Sequence, residues 1–160
     1  MKLLAPIREF DELEMLQAAG AEELYCGIVP EDWSKQYQGA VWLNRRAAQG
    51  GSLSSFAELK RLTDAAHAAG LPLFITLNAP YYSAEQLPLI LDLSRKLSLD
   101  IGVDALIVSD INLLFELSRL RLPAELHVSS VAATLNSEAV RFLQEQFGVR
   151  RVILPRSVSL

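Results

Sequence analysis

The stretch ELHVSS, residues 125–130, places an imidazole and two hydroxyls at the end of an apolar run. If the run is a strand, alternation sends Leu126 and Val128 to one face and His127 and Ser129 to the other. A neutral imidazole exchanges protons near pH 7 or holds a substrate oxygen, which makes His127 a candidate proton carrier. Its other reading is a buried histidine satisfied by a neighbouring hydroxyl or carbonyl. Asp110, ending DALIVSD, is either a base or polar hold for a substrate, or the cap of the helix that follows. Asn78, ending PLFITLN, either offers an amide to a ligand or closes the turn before Ala79 and Pro80. A triad of His127 with Ser129 or Ser130 is disfavoured, because neighbours two apart on one strand point alike without facing each other. Cys26 beside Gly27 is a possible nucleophile, or a small buried hydrophobe.

Anion binding falls to Arg45, Arg46 and Arg156, whose guanidinium forks hold carboxylate or phosphate through paired hydrogen bonds. Surface ion pairing is the competing role for each. Arg156 stands out because it follows a proline at the end of an apolar strand. Dinucleotide and Walker-type glycine loops are absent, and His67, in the last turn of a helix, suits the negative end of the helix dipole.

Composition narrows the partners. The 160 residues, 51% hydrophobic and 21% charged, suit one globular domain over residues 1–160. Fifteen basic against 19 acidic side chains give a net charge of −4, which suggests no nucleic-acid partner. One cysteine and two distant histidines exclude an internal disulfide, a Cys/His zinc site or a four-thiolate cluster made by this chain alone, so neither metal nor cofactor is expected within it. A cytoplasmic setting follows as the default. The apolar N-terminal run is too short for a signal core, and no stretch nears the roughly 20 apolar residues of a membrane span.

The elements that must position these residues repeat. AAGAEELYCGI, AAGLPLFITLN, LDIGVDALIVSD and EQFGVRRVILPR each show a helix tail, a glycine suited to left-handed backbone, a short link and a strand. Strands are expected near 2–6, 23–27, 72–77, 104–109, 125–129 and 151–155. Helices open at Asp11, at the pairs Ser55 with Glu58 and Ser83 with Gln86, at Asp110 and at Asn136. Residues 28–52 break the rhythm with a polar stretch long enough to be a functional loop. About six βα units mean a parallel sheet, either part of a (βα)8 barrel or an open doubly wound sheet. In both, the site lies beyond the carboxyl ends of the strands.

KLLAPIREFDELEMLQAAGAEELYCGI at the start, LNRRAA at 43–48, LFITLN at 73–78, GVDALIVSDINLL at 102–114, ELHVSSVAATLNSEAVRFL at 125–143 and GVRRVILPRSVSL at 148–160 together resemble the N-terminal region of the U32 peptidase family. The resemblance runs along essentially the whole chain in the family's order. It implies a partial (βα)8 barrel, truncated after the sixth strand, because the family continues past the segment similar to LPRSVSL with further strands and a cysteine-containing stretch. Ile7-Arg8 and Ser157 depart from the family's usual Ala-Gly and Glu. The activity implied is that of a collagenase-like protease acting on a peptide or other polar or anionic substrate. An alternative from the same family is a component of oxygen-independent hydroxylation of RNA bases or ubiquinone precursors, its iron–sulfur cluster supplied by missing sequence or a partner. A third reading is a non-catalytic interaction module, since open edge strands invite a homodimer or partner chain. The residues the resemblance carries over are Arg45, Arg46, Asn78, Asp110, His127, Ser129, Asn136 and Arg156, with His127 and Asp110 as the catalytic candidates.

Overall fold

A computed structural model describes residues 2–37, 43–45 and 52–158. Arg46 therefore lies outside the described residues. Strands and helices alternate along the chain: β1 (Leu4–Pro6), α1 (Leu13–Ala18), β2 (Glu23–Ile28), α2 (Glu31–Tyr37), β3 (Ser52–Leu53), α3 (Phe56–Ala68), β4 (Leu73–Leu77), α4 (Leu87–Arg95), β5 (Ala105–Val108), α5 (Ile111–Leu120), β6 (Glu125–Val128), α6 (Ser137–Phe147) and β7 (Arg151–Val152). A wide helical turn over Lys96–Ile101 extends α4.

Local signals account for most boundaries. Ser55 Oγ accepts from the Glu58 amide, Asp110 Oδ1 from Leu113 at 2.8 Å and Asn136 Oδ1 from Ala139 at 2.9 Å, which opens α3, α5 and α6. Ser83 and Gln86 exchange side-chain to backbone hydrogen bonds in both directions, a capping box in the turn just before α4. The glycines of the four repeated junctions, Gly20, Gly70, Gly102 and Gly148, all have φ between 67° and 90°, where a Cβ would strain the chain. Asp11 does not cap α1. The chain enters through a tight turn over Phe10–Glu12, and Glu12 reaches back to accept the Arg8 amide at 2.8 Å while pairing with its guanidinium.

All the strand pairs are parallel, and six strands run in the order β1-β2-β4-β5-β6-β7. β3 pairs with β2 at Gly27 and Ile28, on the edge opposite β4, since Gly27 is also in register with Thr76. The sheet curls into a half-barrel with the helices outside, so the open doubly wound alternative does not apply. Alternation separates two faces. Leu24, Cys26, Leu73, Ile75, Leu106, Val108 and Val128 join Leu59, Leu62, Leu113 and Leu117 of the helices in the main core. Phe74, Ala105 and Ile107 form a smaller concave cluster with Leu4, Tyr25 and Ile153 packed against it. β4 is buried at all five residues because it is covered on both faces. Among the described residues no helix is long and apolar enough to cross a membrane.

Candidate functional site

The concave face is polar at both ends. At the carboxyl ends of the strands, Asn78 follows β4 and Ser129 follows β6; Asn78 Nδ2 donates to Ser129 Oγ at 3.2 Å. With β5 lying between them in the sheet, this bond requires both side chains to share one face. Asn78 Oδ1 accepts the Arg45 amide at 3.0 Å, which ties the long polar segment after β2 to the centre of the sheet. Beside it, buried Asn44 donates to the Ile28 carbonyl and accepts from Ser52 Oγ. Gly27 makes room for this pair: a Cβ there would sit 2.5 Å from Ser52 Oγ and 2.9 Å from Asn44 Nδ2. Thr76 Oγ1 donates to the Cys26 carbonyl at 3.2 Å. The mouth thus gathers amide and hydroxyl side chains from β3, β4, the ends of β4 and β6 and the segment after β2, with β2 supplying backbone carbonyls.

Asp110 stands at the same end and is almost fully buried. Its Oδ1 caps α5 and its Oδ2 accepts the Tyr82 amide at 2.9 Å, so both oxygens take backbone donors. Tyr82 in turn donates its hydroxyl to the Leu43 carbonyl at 2.6 Å, and burial raises its pKa above the ordinary phenol value. Asp110 and Tyr82 therefore pin the segment carrying Asn44 and Arg45 to the start of α5.

His127 lies deeper. It is two residues before Ser129, in register with Ile107 and Arg151, and only 1% exposed. Its Nε2 is 3.0 Å from Glu125 Oε2 and its ring meets Phe74 edge to face at 4.9 Å. Among the described residues its Nδ1 is buried without a partner, as is Ser109 Oγ. Burial lowers the His127 pKa below the ordinary imidazole value; the Glu125 hydrogen bond opposes this, and nearby Arg151 reinforces it.

At the opposite, amino-terminal end, Arg151 of β7 spans the curl to Glu23 of β2 with two hydrogen bonds, 2.5 and 2.8 Å. Lys2 adds a third contact, and the Arg151 hydrogen bonds hold the Glu23 carboxyl below its usual pKa despite its burial. A cavity of about 590 Å³ opens here, bordered by Lys2, Glu23, Phe74, Asp104, Glu125 and Arg151. Its charges are largely spent on one another, and Asp104 accepts the Leu73 amide and contacts His67 Nε2 at 2.8 Å. This end holds the curl together; the mouth keeps neutral donors and acceptors.

Of the residues singled out from sequence, the structure brings Asn78, Ser129 and the Arg45 backbone into one network, with His127 below it on β6. The Arg45 side chain is exposed, Asn136 serves as the cap of α6, and Arg156 is exposed in the turn after β7. Glu23, Glu125 and Arg151 were missed, although charged residues inside the apolar runs ELYCGI, ELHV and RRVIL were the available signal. Asn44 and Ser52 carried no local signal, because only Gly27 and the pairing of β3 bring them over β2.

The fold has known counterparts. A solved structure described as the U32 peptidase Mk0906 superposes with a TM-score of 0.70 at 14% identity, covering 96% of this chain and 58% of that one. MenC from Desulfotalea psychrophila LSv54 superposes at 0.54, also at 14% identity, over 96% of this chain and 38% of its own. At such identities the likeness is one of fold alone, and the chain spans little more than half the length of the solved U32 protein. A family model described as peptidase family U32 matches residues 8–160, and the chain belongs to that family.

Proposed function

We propose that the concave mouth binds a peptide segment and that the protein acts as a protease, with His127 handling the proton. The observation that carries this is the Asn78 to Ser129 hydrogen bond across β5, set directly above His127 on β6. Amide and hydroxyl side chains match the alternating donors and acceptors of a peptide backbone, each of which must find a partner once water is excluded. Arg45 and Arg156, exposed at this end of the sheet, would meet an anionic side chain or terminus of the substrate. Asp110 acts through Tyr82, keeping the Asn44 and Arg45 segment in place. The description of the solved relative as a peptidase supports the same reading.

Cleavage of gelatin or a fluorogenic peptide by the pure protein tests it. Activity is expected to survive chelators, to be lost in His127→Ala, and to show a raised KM in Asn78→Ala. Folded, pure protein that cleaves neither substrate would sink the reading.

A further inference from the structure

We propose that Glu125 is the positioning residue for His127: it fixes the imidazole as the Nε2–H tautomer and leaves Nδ1 as a bare hydrogen-bond acceptor for a donor group of the ligand. This deepens the reading of His127 as the proton-handling group and rests on it. The geometry is specific. A carboxylate only accepts, so the 3.0 Å contact between Glu125 Oε2 and His127 Nε2 requires the proton on Nε2. A neutral imidazole then has a lone pair on Nδ1, and that atom is buried with no partner among the described residues. Leaving a buried acceptor unsatisfied is costly, so such an atom gains by a bond to any ligand, ion or water that reaches it.

A second orphan supports the location. Ser109 Oγ is buried and unpartnered, one residue past β5. Alternation from Ala105 and Ile107 puts it on the concave face, level with Asn78 and Ser129, whose side chains bond to each other across that strand. Two unsatisfied polar atoms on neighbouring strands thus sit on one face, Nδ1 able only to accept and the hydroxyl able to do either. A ligand group that bonds Nδ1 carries an N–H or O–H donor, as a peptide amide or a hydroxyl does.

The charged groups around the ring come from three elements: Glu125 on β6, Arg151 on β7 and Glu23 on β2. The Phe74 ring of β4 closes the remaining side. The Glu23 carboxylate is committed to Arg151 by two hydrogen bonds, so Glu125 is the acceptor left to orient the imidazole.

Long-range proton–nitrogen spectra of histidine-labelled protein read the tautomer without any substrate. The chain has two histidines, and His127→Gln assigns the signals. Expected is a neutral His127 with Nε2 protonated and Nδ1 bare. In Glu125→Ala the signals should move toward a mixture of tautomers, and the His127 titration should shift to lower pH. Glu125→Gln, which keeps an acceptor and the volume, should retain the tautomer but share the downward shift; it also serves if the alanine variant does not fold. A proton on Nδ1 in the unmodified protein overturns the proposal, as does a tautomer and titration unchanged in both variants. Should the tautomer be as expected while no peptide is cleaved, the peptidase reading fails and the role of Glu125 stands.

Discussion

At the scale of single residues, the concave face separates charge from neutral polarity, and its charged members make stability depend on pH. Glu23, with a pKa held low by Arg151, stabilises the fold above the ordinary carboxylate range and loses that contribution as pH falls through its folded pKa. His127 acts earlier on the same descent. Its folded pKa is depressed, so folded and unfolded chains are alike above the unfolded imidazole value. Once pH drops below about 6.5, the unfolded chain takes up a proton that the folded chain resists. Urea midpoints measured from pH 7.5 to 5 should therefore fall, and His127→Gln should flatten that fall. A slope unchanged in the variant would show that another group is responsible. Arg151→Ala leaves the buried Glu23 carboxylate with Lys2 alone. A loss of about 2–4 kcal/mol by denaturant unfolding is expected, toward the lower end of broken buried pairs because Arg151 is partly exposed.

Between residues and the whole, most helices carry their own start signals, and one of these, together with a glycine inside β2, also serves the mouth. Asp110 joins the start of α5 to Tyr82 through its two carboxylate oxygens. Asp110→Ala removes a helix cap and leaves a buried amide unpaired, so about 2–3 kcal/mol should be lost, against about 1 kcal/mol for the exposed cap Asn136→Ala. Equal losses in thermal or urea unfolding would argue that Tyr82 is not anchored there. Gly27 is the second case. Gly27→Ala displaces the side-chain ends of Asn44 and Ser52 that lie over β2, at a cost of about 1–3 kcal/mol, and should weaken peptide binding more than a surface change of equal cost. These helix caps and junction glycines were legible in the sequence because each acts within a few residues. The exception, Asp11, failed where a tight turn and the neighbouring Glu12 to Arg8 contact supplied a rival local solution.

For the whole molecule, the sheet path ends on β1 and β7, whose outer edges are unpaired among the described residues. Exposed parallel edges favour pairing with another chain. Light scattering across a concentration series should show self-association, and a monomer at the highest concentration would count against it. The same scale divides what was legible from what was not. Sequence by itself determined the alternation of six strands with five helices, the glycine junctions and the two faces of β4 and β6, because periodicity and capping are local; α2 and β3, within and at the end of the stretch 28–52 read as a loop, were not legible. It also marked Asn78, His127 and Ser129 as strand-end polar groups. Only the tertiary structure decided that the sheet curls, that Arg151 meets Glu23 across 128 residues, and that Asn78 meets Ser129 across 51. Those contacts depend on register and on the accumulated twist of parallel strands, quantities that belong to the assembled sheet and to no one segment of it.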